Sequence, residues 1–402
     1  MKKARVLYIT YNGVCESIFQ SQCLPYLKGL RKAGYGITLL SYERGAIEDA
    51  EHAELLGNLG IKWYKLKYHK KPRIIASGYD FLLGMTVSFF ITLTGKISII
   101  HARATHGAII GMPAAKFLRR KFIFDTRGLD SEEYVDGNLI AKNSFLHNAL
   151  FRIEKYLFSR SDSIVLLSHN AKALLTEKGL GRYLCEKSTH VIPCVTDLDL
   201  FNANVNKTVR ENGSIKFLYV GSVGTWYMIE EMFDFFLRAK NRLKGSKFTI
   251  FTQSDRNTMR LAEKMIKARD AVRIKFAEYK SMPGHISDSD VGLCFIKPVS
   301  SKRASSPTKV GEYLACGLPV VINSGIGDTE DLIRNNGVGV VVDDFSGSRY
   351  DKAIFELENL LKDKDVFKRC RLTAEKHFSL NDAVNTYDII YSNLTAAGRS
   401  GR

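Results

Sequence analysis

No pair of cysteines in this sequence has the close spacing of metal ligands, and the seven present, Cys15, Cys23, Cys185, Cys194, Cys294, Cys316 and Cys370, are odd in number. We therefore expect neither disulfides nor a zinc or other metal site, and a reducing compartment. Nucleophile chemistry of the Ser-His-Asp order is missing too, as are the glycines of a full GxGxxG dinucleotide fingerprint. The uncharged stretch from Phe81 to Gly95 falls short of the roughly 20 residues that cross a bilayer. It reads as a buried helix, with a shallow membrane dip as the alternative. Met1-Lys2-Lys3 runs straight into a short strand rather than a secretory apolar region, so a cytoplasmic protein is expected. Acidic residues are scarce against basic ones, 42 to 59, which leaves a net charge of +17 and a pI near 9.4. Such a balance points to nucleic acid, an anionic membrane surface or a phosphorylated substrate. No nucleic-acid recognition motif accompanies the charge.

What is present is ordinary globular composition, 45% hydrophobic and 25% charged over 402 residues, enough for two domains with two cores. Strand and helix patterns alternate from the start. Arg5 to Thr10 reads as a first parallel strand, then comes the loop Tyr11-Asn12-Gly13-Val14, an amphipathic helix to Leu30, and a second strand from Ile37 to Tyr42. Gly13 permits close backbone approach at the carboxyl end of that sheet, where ligands bind in such folds. Lys62 to Arg73, KWYKLKYHKKPR, interleaves six basic residues with Trp63, Tyr64 and Tyr68, and Lys116, Arg119, Arg120 and Lys121 form a second cluster. Together they suit an anionic lipid surface, the bland alternative being a strand, Trp63 to Leu66, followed by a solvated basic loop. After the strand Lys121 to Asp125 comes an acid-rich loop, Asp125 to Asn138, with Arg127 near its start. Arg127 can bind a phosphate or sugar hydroxyls with its fork of donors, or simply pair with Asp130, Glu132 or Glu133. His101, Arg103 and His106 follow the preceding strand and could face the same edge.

A second alternation begins at Ile215. Its first loop, Gly221, Ser222, Val223, Gly224, Thr225, Trp226, Tyr227, is a glycine-rich strand-to-helix turn suited to phosphate, with the Ser222 and Thr225 hydroxyls available. Further on, Ser301 to Asn323 joins a basic loop, a short helix and a buried strand. Ser305 and Ser306 can cap a helix that starts at Thr308 after Pro307, with Lys302, Arg303 and Lys309 supplying cations for an anion at its N-terminus. Glu312 lies one turn on, where a carboxylate can accept hydrogen bonds from vicinal hydroxyls. Phosphate plus ribose means a nucleotide. Gly317 is placed for a left-handed helix stop before the strand Val320-Val321-Ile322.

The pattern SPTK, two residues, EYLA, one residue, GLPVV resembles the donor-binding segment of the GT4 family of retaining glycosyltransferases, and the Arg127 loop resembles a subgroup associated with envelope polysaccharides (capsule, O-antigen or exopolysaccharide). The resemblance implies an α/β GT-B fold, two facing Rossmann-like domains with parallel sheets and a cleft between them. It places the donor diphosphate on Lys309 and the helix start, and the ribose on Glu312. Gly13, Gly221, Ser222, Thr225, Arg303, Ser305, Ser306 and Thr308 complete the expected donor side, with Tyr279 and Met282 beside the nucleobase. His101, Arg103, His106 and Arg127 fall on the acceptor side, and Arg127, Lys309 and Glu312 are the expected catalytic residues. The family's usual second Glu is Ala304 here, a His common in other members is Arg127, and a basic pair usual in the glycine-rich loop is replaced by Ser222 and Trp226-Tyr227. Lys302 or Arg303 would then compensate. The expected organisation is an acceptor-side domain over 1–201, a linker over 202–213, a donor domain over 214–378, a helix over 379–394 returning to the first domain, and a disordered tail over 395–402. The implied activity is metal-independent, retaining transfer from a nucleoside diphosphate sugar, with no cofactor, to a glycan or lipid-linked acceptor by a cytoplasmic protein peripheral on the membrane. A sugar-nucleotide epimerase of the same fold and a non-catalytic transferase partner are the alternatives.

Overall fold

A computed structural model describes residues 3–44, 49–202, 214–224, 226–252 and 270–397. The chain divides into two compact units, Met1–Ile192 with Leu380–Arg402, and Pro193–Ser379. In the first, strands β1 (Arg5–Ile9), β2 (Gly36–Glu43), β3 (Lys62–Lys67), β4 (Ile99–Arg103), β5 (Lys121–Asp125), β6 (Ser163–Leu166) and β7 (Thr189–Val191) pair in the order β3-β2-β1-β4-β5-β6-β7. Every pairing is parallel. The central strands are buried on both faces because helices cover both sides, so their apolar residues do not alternate with exposed polar ones. The helices are α1 (Ser17–Gln22), α2 (Leu24–Lys32), α3 (Asp49–Asn58), α4 (Arg73–Thr94), α5 (Ala104–Phe117), α6 (Asp130–Asp136), α7 (Phe145–Arg160) and α8 (His169–Glu177). The order reverses between β1 and β4, so the loops leaving these two strands diverge at the carboxyl edge and open a crevice there.

The second unit repeats the scheme with β8 (Lys216–Val220), β9 (Lys247–Phe251), β10 (Val272–Lys275), β11 (Val291–Cys294), β12 (Val320–Asn323) and β13 (Gly339–Val342), ordered β10-β9-β8-β11-β12-β13 and parallel throughout. Its reversal falls between β8 and β11. Helices α9 (Ile229–Arg242), α10 (Met282–Ser287), α11 (Thr308–Ala315), α12 (Thr329–Asn336), α13 (Gly347–Leu361) and α14 (Val366–His377) belong to it. One face buries Phe217, Phe235, Phe236 and Phe248, the other Val310, Tyr313, Leu314 and Phe367.

Several expectations change. The segment 193–201 belongs to the second unit, because Thr196 N–H donates to the Phe378 carbonyl at 2.9 Å and Arg371 Nη1 donates to the Phe201 carbonyl at 2.6 Å. The expected linker, apart from Asn202, lies outside the described residues. The last helix, α15 (Leu380–Ala397), packs against α2 in the first unit. It takes in Thr395, Ala396 and Ala397, which had been expected in a disordered tail; 398–402 lie outside the described residues. Half of the acid-rich loop is helix, α6, whose Asp130, Glu132 and Glu133 occupy the first turn, where carboxylates suit the helix dipole. Finally, α4 starts at Arg73, eight residues before the uncharged stretch, and reaches 22 residues. From Ile75 to Thr94 it is long and apolar enough to cross a membrane, yet only a third of that span is buried. The expected buried helix is therefore buried on one side only. Ala76, Asp80, Ser88, Ile91 and Thr92 face inward, while Ile75, Tyr79, Leu82, Phe90 and Leu93 form an exposed stripe at helical spacing.

Candidate functional site

Strand β8 ends at the reversal of the second sheet and leaves through Gly221, whose φ of 147° is one that side-chain-bearing residues rarely adopt. A Cβ at this position would stand 3.1 Å from Lys309 Nζ. Glycine thus lets the backbone close on an ammonium group. The turn beyond is fixed by main-chain bonds, Tyr227 N–H donating to Gly224 O at 3.1 Å within it and Lys297 N–H, from beyond β11, to Trp226 O at 2.9 Å. These bonds hold two aromatic rings against two cations. Lys309 Nζ lies 3.2 Å from the Tyr227 ring centroid and 5.1 Å from that of Tyr219, and Lys302 Nζ lies 3.9 Å from that of Trp226. Such contacts are worth about 0.5–2 kcal/mol each, more where water is excluded. Both lysines are more than nine-tenths buried. Trp226 and Tyr227 therefore gather lysines from a different part of the chain.

Lys309 is the second residue of α11. That helix is capped at Pro307 without any side-chain hydrogen bond, because Ser306 Oγ instead accepts from Cys194 N–H at 3.1 Å. The expected serine cap is not formed, and the first-turn N–H groups are not closed off by a hydroxyl. At its other end Gly317 takes φ 69° and Leu318 N–H reaches the Tyr313 carbonyl at 2.8 Å, the left-handed stop read from the sequence. One turn from Lys309, Glu312 Oε1 accepts from Tyr279 Oη at 3.2 Å, and the Tyr279 ring packs on Phe201 at 5.6 Å. Burial pushes the Glu312 carboxyl up to about 7, against the pull of Tyr279 and Lys309. Burial and the neighbouring Glu312 push the Tyr279 hydroxyl up as well. A carboxylate so placed gains from new hydrogen-bond donors, which favour its charged form.

Of the other expected donor residues, Ser222 is exposed, and Arg303, Ser305 and Thr308 are half-buried around the start of α11. Thr225 lies outside the described residues. Met282 is a core residue, packed with Ile286 and Cys316, so only its backbone can face a ligand. Gly13 belongs to the first unit. Its N–H donates to Glu16 Oε1 at 2.9 Å and the next one, at Val14, to Glu43 Oε2 at 3.0 Å, while a Cβ on Gly13 would meet Glu43 at 2.8 Å. The close approach expected of this glycine is made by carboxylates of the chain itself.

At the carboxyl edge of the first sheet, Asp125 is the hub. Its Oδ1 accepts from Arg127 Nη1 at 3.1 Å, and Oδ2 lies 3.3 Å from both Tyr387 Oη and His101 Nε2. Burial would raise this carboxyl, but Arg127, His101 and Arg103 hold it well below the usual carboxylate range. His101 is itself 1% exposed, with Nδ1 2.6 Å from Tyr391 Oη. His101 and Arg103 are thus buried beneath the edge. Arg127 Nη1 pairs with Asp125 Oδ1 at 3.1 Å, and Glu132 of α6 takes Lys178 at 2.7 Å. His106 comes nearer the surface, 3.4 Å from Asp130 Oδ2, 3.2 Å from Tyr134 Oη and stacked on Tyr11 at 5.1 Å. The sequence reading missed Tyr219, Tyr227, Tyr387 and Tyr391 as partners. The last two are four residues apart on one helix, a spacing equally typical of core packing.

Comparison with known proteins agrees with this architecture. A family model described as Glycosyltransferase Family 4 matches residues 25–200, and one described as Glucosyltransferase 3-like, C-terminal domain, matches residues 282–350. No curated protein matches the chain. Among solved structures, Anabaena Alr3699/HepE in complex with UDP and glucose is similar with a TM-score of 0.71 at 13% identity, covering 97% of this chain and 99% of that one. Sucrose-phosphate synthase from Thermosynechococcus elongatus gives 0.71 at 14% identity, covering 98% and 100%. A Listeria monocytogenes protein assigned as a UDP-N-acetylglucosamine 2-epimerase gives 0.60 at 12%, covering 95% and 94%. The two parallel-sheet units, of seven and six strands, match GT-B glycosyltransferase structures, so the chain has the GT-B fold and carries a region similar to Glycosyltransferase Family 4.

Proposed function

We propose that this protein is a retaining glycosyltransferase that moves a sugar from a nucleoside diphosphate donor to a glycan or lipid-linked acceptor. It acts without a metal ion, at the cytoplasmic face of a membrane, in the synthesis of envelope polysaccharide. The observation that carries the reading is the pair Lys309 and Glu312 on one short helix, an ammonium seated on a tyrosine ring one turn from a buried carboxylate. Those are the groups that a diphosphate and a ribose require. As the bond to the sugar breaks, negative charge grows on the leaving diphosphate. Lys309, Lys302 and the open first turn of α11 answer it without reorganising, which is where electrostatic catalysis gains most. Glu312 orients the donor through the ribose hydroxyls. His106 with Tyr11 and Tyr134, and Arg127 above Asp125, supply polar and stacking contacts suited to a sugar acceptor. The exposed stripe of α4 supports the membrane location.

The test is a panel of UDP-, GDP- and dTDP-sugars, UDP first because the HepE structure holds UDP. Thermal shift and nucleoside diphosphate release are followed for the wild type, Lys309→Ala and Glu312→Ala. One nucleotide class should stabilise the wild type and not Glu312→Ala, and Lys309→Ala should lose turnover, about 100-fold or more, with the fold intact. Near-normal turnover in Lys309→Ala would sink the proposal. Interconversion of free sugar nucleotides with no acceptor would move it to the epimerase reading, for which the Listeria protein is a structural precedent.

A further inference from the structure

At the amino edge of the first sheet, opposite Asp125 and Arg127, α5 ends, β5 begins and α7 ends around a cavity of about 310 Å³. Lys116, Arg119, Arg120, Lys121 and Arg160 line it, against the single carboxylate of Asp162. That carboxylate is already engaged, accepting from Lys121 Nζ at 2.9 Å and from Phe122 N–H at 2.9 Å. Lys116 Nζ donates to Tyr156 Oη at 3.1 Å. Arg119, Arg120 and Arg160 have no carboxylate partner among the described residues, and Arg120 Nε is buried without a hydrogen bond. Arg119 also holds φ at 51°, a conformation that costs a residue with a side chain. Five cations around one engaged carboxylate repel one another, and a phosphate, which accepts bidentate bonds from guanidinium groups, relieves the repulsion. The cavity has the volume of about ten waters, room for more than a bare phosphate.

The rim tells which phosphate. Phe117, the residue at the end of α5, is 79% exposed beside this basic turn, and Tyr156 is 40% exposed. On the neighbouring α4, which packs along α5, Phe90 and Leu93 are exposed near the same end. A soluble anion has no use for an apolar rim; a lipid headgroup has acyl chain beside it. We propose that this cavity binds the phosphate headgroup of an anionic phospholipid, with Phe117 entering the apolar layer next to it. The choice of lipid over free phosphate leans on the membrane reading above, whereas the phosphate chemistry stands on the cavity alone.

The experiment is co-sedimentation of the full chain with vesicles of phosphatidylcholine, alone or mixed with phosphatidic acid. Wild type, Arg119→Glu/Arg120→Glu, Phe117→Ala and a control pair, Lys244→Glu/Lys247→Glu, exposed on the second unit, are compared. We expect binding only with phosphatidic acid, weakened about tenfold or more by the cavity pair, severalfold by Phe117→Ala, and little by the control pair. Should the cavity pair fail to fold by circular dichroism, Arg119→Gln/Arg160→Gln replaces it. Equal binding by the cavity and control pairs would show net charge alone at work and overturn the site. Soluble glycerol phosphate that binds the cavity with no vesicle binding by the wild type would overturn the lipid assignment. Thermal shift with sugar nucleotides, read in parallel, should be the same in the cavity pair as in the wild type, so a failure of this site is separable from a failure of the transferase reading.

Discussion

Glu312 combines two roles whose pH dependences run in opposite directions. Burial holds its carboxyl up near 7, above the range of about 4.3 expected in an unfolded chain. The folded state therefore binds this proton more tightly than the unfolded one. Its contribution to stability is complete below the unfolded value and is lost as pH rises through about 7. Ligand hydroxyls, however, donate to the ionised form. We expect nucleotide affinity measured by calorimetry to rise through about pH 7 and then level off, while the melting temperature of the unliganded protein falls over the same window. Both slopes should flatten in Glu312→Gln. An unchanged affinity profile in that variant would remove Glu312 from the ribose. The placement of this residue one helical turn from Thr308 and Lys309 was legible in the sequence, but its altered ionisation was not. That follows from burial, which outweighs the opposing hydrogen bond from Tyr279, and burial is set by the fold rather than by local spacing.

Among the elements, the turn between β8 and α9 depends most on a single backbone position. Gly221→Ala asks an alanine to take φ 147° and brings its Cβ within 3.1 Å of Lys309. A cost of about 1–3 kcal/mol in stability is expected, together with a loss of nucleotide affinity of roughly tenfold as Lys309 is displaced from the Tyr227 ring. Ser222→Ala, next to it and exposed, should change the melting temperature by little. Equal effects of the two substitutions would mean that the turn does not position Lys309. The glycine-rich turn and the short helix were both visible as sequence patterns, whereas the aromatic seats of the lysines were not, since a ring beside a glycine-rich loop has no signature of its own. With α4 the difficulty was the reverse. Its uncharged core drew attention to Phe81–Gly95, but the helix begins at Arg73 and its exposed stripe follows from which side α5 covers.

For the whole molecule, the last helix matters most to the unit it joins. Tyr35 Oη meets the Asp388 carboxylate, Tyr391 meets His101, Tyr387 meets Asp125, and Val384 fills the space over Gly29, all within the first unit. A chain stopped after Ser379 would lose the buried Tyr387, Ile390 and Tyr391 and two hydroxyls that satisfy the His101–Asp125 pair. The loss should exceed about 5 kcal/mol, comparable to the whole stability of a domain. Hydrogen exchange should show the sheet β1–β7 losing protection, while protection of β8–β13 by a bound nucleotide persists; a protected first sheet would refute this. The alternation of apolar strands and amphipathic helices, the Lys309–Glu312 spacing and the Gly317 stop were determined by the sequence alone, because each depends on residues within a few turns of one another. Tertiary structure alone decided which unit holds residues 193–201, what Asp125 gathers around itself, which face of α4 stays uncovered, and that Arg160 and Asp162 join the basic run 116–121. Those are set by contacts between residues far apart in the chain, and local periodicity carries no record of them.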